Sequence, residues 1–222
     1  MKSIYLMTGF LFIMFLNSFS QNLIFKKNDE TKSQKYICGF LSSDSKLTSF
    51  NGSNAGFIGG AFGIVIKQRT RIGLGGYSLR GKNMFEYLNP LEDNKEYHFN
   101  NEFEYFGPFF EYVVLPDAFI HITIPVLLGG GKATIKQEVP LNQLSFPGSE
   151  GIERTYWATV EKCNLSVIEP GVNIELEMLS WMNLDLGASY RFVMGSELKT
   201  ISNSTRNFSG ASFHLGLNFS CF

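Results

Sequence analysis

The run Ser212-Phe213-His214-Leu215-Gly216-Leu217-Asn218-Phe219-Ser220-Cys221-Phe222 decides how the rest of the chain is read. Phe213, Leu215, Leu217, Phe219 and Cys221 fall on one face of an extended segment, and Ser212, His214, Gly216, Asn218 and Ser220 fall on the other. Strict two-residue alternation marks a strand with one apolar and one polar side. Upstream, Asn183 to Met194 alternates in the same way, with Leu184, Leu186, Ala188, Tyr190, Phe192 and Met194 opposite Asn183, Asp185, Gly187, Ser189 and Arg191. Ile168 to Met178 sets Ile168, Val172, Ile174, Leu176 and Met178 against Glu169, Gly171, Asn173, Glu175 and Glu177. Leu165 and Val167 lie in the opposite phase, which predicts a bulge beside Pro170.

Earlier segments follow the same period. Phe106 to Val114, Ile120 to Leu128, Ile58 to Ile66, the glycine-rich Arg71 to Leu79 and, most weakly, Ile37 to Leu47 bring the count to about eight strands. Lys67-Gln68-Arg69-Thr70, Leu115-Pro116-Asp117-Ala118 and Leu179-Ser180-Trp181-Met182 read as tight turns. Between them lie long polar connections, Arg80 to Asn101, Lys132 to Lys162 and Gly195 to Asn207. Short and long connections therefore alternate, and all the long ones fall at one end. Even strand number, apolar-out and polar-in strands, and this asymmetry are the marks of an outer-membrane barrel. The predicted fold class is all-β, an antiparallel up-and-down transmembrane β-barrel. Gly59, Ala61, Gly63, Gly73, Gly75, Gly107, Gly171 and Gly187 are predicted to face inward, leaving room for long polar side chains.

Composition narrows the function classes. In 222 residues, Lys+Arg 19 and Asp+Glu 20 nearly cancel, so no basic footprint for nucleic acid exists. Charged residues make up 18 %, below the roughly 25 % of ordinary soluble domains. Phe 22 and Gly 22 favour strands and tight turns. At the start, Lys2, the apolar run Ile4 to Leu16 and Ser18-Phe19-Ser20 read as a cleaved signal peptide over residues 1–20. Residues 21–35 read as a flexible lead, and 36–222 as the barrel domain.

The chain resembles the small bacterial outer-membrane β-barrel proteins of OmpA/OmpX-type size, and in detail uncharacterised barrel proteins of Bacteroidota-type bacteria. The resemblance rests on the hairpin Phe57-Ile58-Gly59-Gly60 through Ile72-Gly73-Leu74-Gly75-Gly76-Tyr77, on Ile168-Glu169-Pro170-Gly171-Val172-Asn173, and on Gly187-Ala188-Ser189-Tyr190-Arg191. Gly216, Phe219 and Phe222 also resemble the C-terminal signal read by barrel-assembly machinery, with Cys221 departing from the usual aromatic or larger apolar residue. The resemblance implies outer-membrane lipid and the assembly machinery as partners. It implies no activity.

Arg71, Glu111, His121, Glu169, Asp185 and Arg191 are predicted to face the lumen as a charge network. The turns can set Glu111 opposite His121 and Glu169 opposite Arg191, since buried charges need partners. The alternative is an envelope-lipid hydrolase or acyltransferase drawing on His98, His121 or His214 with Ser212 or Ser166. No nucleophile motif surrounds either serine, so no catalytic residue is assigned. Gly129-Gly130-Gly131-Lys132-Ala133-Thr134 lacks the spacing of a phosphate loop, and Gly73-Leu74-Gly75-Gly76 opens no helix. Three His and three Cys show no metal-ligand spacing, so neither a metal nor a cofactor is expected.

Cys38 and Cys221 lie near the ends of the first and last strands, where they can staple the closure in an oxidising compartment. Cys221 can equally serve as a small apolar residue facing lipid, and Cys163 is the odd cysteine. The expected function is non-catalytic: a structural or binding barrel with a filled polar lumen. Loops 80–101 and 132–162, bearing Phe85, Tyr87, Tyr97, Phe99, Phe146, Tyr156 and Trp157, would meet an envelope partner. A soluble periplasmic ligand-binding barrel is a third reading.

Overall fold

The computed structural model describes residues 37–50, 53–81, 83–89, 95–114, 120–140, 155–195, 198 and 207–220. The expected signal peptide, the N-terminal lead, the turn at 115–118, Cys221 and Phe222 lie outside them. Nine strands are formed: β1 (Ile37–Phe50), β2 (Ser53–Ile66), β3 (Thr70–Arg80), β4 (Asn83–Asn89), β5 (Lys95–Val113), β6 (Ile120–Pro140), β7 (Thr155–Leu179), β8 (Met182–Gly195) and β9 (Gly210–Ser220). All pairings are antiparallel, and β3 pairs with β5 while β1 pairs with β9. Eight strands thus close a ring, an up-and-down barrel. β4 stands outside it, held on β5 by pairs such as Phe85↔Phe99 and Tyr87↔Tyr97.

Alternation decides which face each strand shows. Ile58, Phe62, Phe106, Phe110, Ile122, Ile174, Phe192 and Leu215 are exposed on the outer wall. Their sequence neighbours Phe57, Glu111, His121, Glu175, Arg191 and His214 are buried inside. This is the inverse of a soluble domain, whose exposed apolar patches are small. At the short-turn end, Trp181 stacks on Phe219 with ring centroids 6.0 Å apart. Among the described residues no helix is long and apolar enough to cross a membrane.

Three expectations are corrected. The polar stretches at 80–101 and 132–162 are largely strand: β4 and the start of β5 occupy the first, and β6 and β7 run on to Pro140 and Thr155 in the second. On β6 the outward positions Lys132 and Lys136 of this stretch are charged, so the apolar outer face that signals a membrane strand in sequence stops short of it. Phe99 is 7 % exposed and packs into the core instead of standing on a loop.

No bulge occurs at Pro170. Ile168↔Phe192 and Gly171↔Ser189 keep one register, and the irregularities lie at Ile135/Lys136 and Glu177/Leu179. Leu165 and Val167 share the inward phase of Glu169 because the upper lumen is itself apolar.

Candidate functional site

The lumen is filled in three tiers. Nearest the short turns, Arg71 on β3 is fully buried between carboxylates from β5 and β7. Its Nη1 donates to Glu111 Oε2 at 2.7 Å, its Nη2 donates to Glu175 Oε2 at 2.9 Å, and Nη1 also reaches Glu175 Oε1. The fork of a guanidinium matches a carboxylate in this two-point geometry. Thr123 Oγ1 donates to Glu111 at 2.7 Å, and the Asn183 and Asn218 amides donate to Glu175 at 3.2 and 3.4 Å. His121 Nδ1 lies 3.8 Å from Glu175 Oε2.

In the middle tier, Lys46 Nζ donates to Glu169 Oε1 at 2.7 Å and sits 3.4 Å from the centre of the Tyr77 ring. Ser189 Oγ donates to the same carboxylate at 2.6 Å, and the Tyr105 hydroxyl donates to its other oxygen. The Tyr77 hydroxyl donates to Asp44 Oδ2 at 2.9 Å. A cavity of about 30 Å³ remains among Lys46, Glu169, Asn173, Ser189 and His214, room for roughly one water.

The top tier is aromatic. Phe50 and Phe208 stack with centroids 4.7 Å apart and planes 1° from parallel, and Phe103 lies against both. The Arg191 guanidinium sits 4.5 Å from the Phe57 ring centre and 5.7 Å from those of Phe50 and Phe103. Its Nε donates to the Phe208 carbonyl at 2.8 Å. Arg191 therefore latches the segment before β9 into the barrel mouth, by cation–π contact and one hydrogen bond.

All six residues assigned to the charge network are buried in this lumen. Their pairing differs from expectation. Glu111 is engaged by Arg71 and Thr123, Glu169 by Lys46, and Arg191 by the aromatic tier. Glu111 faces Pro125 in the ladder, which puts His121 beyond it and beside Glu175.

Lys46, Glu175, Asp44, Tyr77 and Tyr105 are the members that sequence reasoning passed over. Glu175 stood on the polar face of its strand and could have been found there. Lys46 sits on the weakest strand signal. Gly216 has a packing role as well: a Cβ there would come within 2.0 Å of Asp44 Oδ1, so glycine makes space for the Asp44–Tyr77 pair.

The residues considered for catalysis are not assembled into a triad. His214 Nε2 is 2.9 Å from Asn173 Oδ1, an amide in place of an orienting acid. The buried Ser212 hydroxyl has no hydrogen-bond partner among the described residues, and Ser166 points outward. Nucleophilic catalysis needs a serine within reach of an acid-oriented His. Among the described residues no group of three or more His, Cys, Asp or Glu side chains is placed to hold a metal ion. Cys38 is disulfide-bonded and Cys163 is free.

No family model matches the chain, and no curated protein is similar to it in sequence. Among solved structures it is similar to Neisserial surface protein A, at 12% identity over 82% of this chain and 96% of that one, with a TM-score of 0.49. It is also similar to Ail, the attachment invasion locus protein of Yersinia pestis, at 9% identity over 84% of this chain and 99% of that one, with a TM-score of 0.41. The N-terminal β-barrel domain of Pseudomonas aeruginosa OprF shows 10% identity over 84% of this chain and 99% of that one, at 0.42. At these values the likeness concerns barrel shape and carries nothing about activity.

Proposed function

We propose that this chain is a non-catalytic outer-membrane barrel, a structural or binding protein that holds its long hairpins outside the cell. The observation carrying this reading is the inverted burial: a closed ring with large apolar side chains outside, and inside it buried charged and polar side chains beneath an aromatic tier. In lipid every backbone group must be paired within the protein, which a closed ring achieves. Side chains fill an eight-stranded interior, so the lumen is a brace and not a conduit.

The short turns and both termini face the periplasm in this reading. β4 with the upper parts of β5, β6 and β7 extends the sheet beyond the apolar belt, and that extension is where an envelope partner would dock. With Cys38 bonded and Cys163 free, Cys221 is the partner we assign to Cys38, stapling the first strand to the last.

The test compares boiled and unboiled samples of the isolated outer-membrane fraction on a detergent gel. A band in that fraction whose mobility changes on heating supports the reading. Recovery of the chain in the soluble periplasmic fraction, with no shift, overturns it.

A further inference from the structure

The outer wall is not evenly covered. Along β3, β5 and β6 the cross-strand row Gly76–Phe106–Gly130 ends the apolar belt. Lower down, the row Ile72–Phe110–Val126 is filled by side chains. Gly60, Gly76 and Gly130 line a groove of about 720 Å³ bounded by Ile58, Phe62, Leu74 and Phe106. The Phe106 ring leans over Gly76 and the Ser42 carbonyl lies against Gly60, so the depth of the groove is at Gly130. A Cβ built on Gly130 meets nothing within 4 Å, so the floor of the groove is open. Small-ligand sites span about 300–1,000 Å³.

The next row up reads Ser78–Glu104–Lys132–Asn164 and is polar throughout. Ser78, Glu104 and Lys132 also line a second groove of about 520 Å³, which continues past Thr134, Lys136 and Lys162. Lys136 is taken by Glu102 at 2.5 Å. Lys132 and Lys162 have no ion pair among the described residues, and Glu104 is the remaining acid beside them. A hydrocarbon trough inside the belt thus opens into a cationic shelf at its edge.

We propose that this groove binds one acyl lipid with a net-anionic phosphate headgroup, in the leaflet at the hairpin end. An acyl chain lies against Gly130 and the Phe106 ring, and the phosphate rests on Lys132 and Lys162. The apolar floor excludes a free anion as the whole ligand, and the two lysines favour a headgroup of net negative charge over a zwitterionic one. The site rests on the membrane reading given above.

The experiment inserts the folded full chain into phosphatidylcholine vesicles carrying a trace of spin-labelled lipid, either phosphatidic acid or phosphatidylcholine with the same chains. Electron spin resonance then reads the fraction of each probe that the protein immobilises. We expect the native chain to prefer phosphatidic acid by about tenfold, the ratio that one charge-assisted contact supports. Lys132→Gln with Lys162→Gln should bring the ratio to about one. Gly130→Leu, whose Cβ enters open space, should release the phosphatidic acid probe while the lysines stay in place.

Equal immobilisation of both probes by the native chain overturns the site, as does a preference that both variants keep. A dimer that buries the groove in detergent also overturns it. Failure to enter vesicles at all removes the membrane reading and this site together, whereas insertion without preference removes the site alone.

Discussion

Arg71 is the residue on which the lower lumen turns. It reaches Glu111 on a neighbouring strand and Glu175 across the barrel, and its side chain is wholly buried. Removing one member of such a group leaves an uncompensated charge, which costs about 3–5 kcal/mol. Glu175→Ala should therefore lower unfolding stability by that order, read from urea titrations of the detergent-folded barrel, and Glu175→Gln should cost less. Ser166→Ala on the outer face should stay within about 0.5 kcal/mol of the native chain. A Glu175→Ala barrel as stable as the native one would show that the lumen network does not brace the fold. This network was half legible in the sequence. Period two assigns each charged residue to the inside, but says nothing of which charges meet across the lumen. Glu169 and Arg191 lie abreast on adjacent strands, yet Lys46 from β1 takes the carboxylate, and three phenylalanine rings and the Phe208 carbonyl draw the guanidinium away.

At the level of the elements, the first and last strands form the seam that closes the ring, paired from Phe40↔Ser220 to Thr48↔Ser212. The proposed Cys38–Cys221 link would close a very long loop at that seam, and the chain-entropy model gives such a link about 4–5 kcal/mol. Cys38→Ser should abolish the mobility difference between reduced and non-reduced boiled samples and lower the unfolding midpoint. Cys163→Ser should leave both unchanged. A Cys38→Ser chain that migrates like the native one without reductant would remove the staple from the account. The hairpin extensions show where reading by alternation stops. β6 and β7 continue to pair from Lys136↔Thr159 to Pro140↔Thr155, outside any apolar belt. Their hydrogen bonds keep the strand while their side chains no longer need one dry face, so the sequence there looks like loop.

For the molecule as a whole, the proposed reading implies two obstructions in series along the axis: the Arg71–Glu111–Glu175 cluster near the short turns and the Arg191 aromatic tier near the hairpins. The barrel inserted in a planar bilayer should therefore show no steady conductance. Phe208→Ala should not create one, because the lower cluster is untouched. Stable ohmic steps from the native chain would mean that the lumen is open in the membrane.

The eight ring strands, their facing, the chain topology and the outward apolar belt follow from local pattern, because a strand's two faces must suit two different surroundings and the period of two records both. The turns at 67–70 and 179–182 are legible for the same reason, as breaks in that period. Register, the partners of each buried charge, the aromatic tier at the mouth and the extended hairpins depend on contacts between residues far apart in the chain. Arg71 and Glu175 are brought together by ring closure and strand stagger, which no window along the sequence contains.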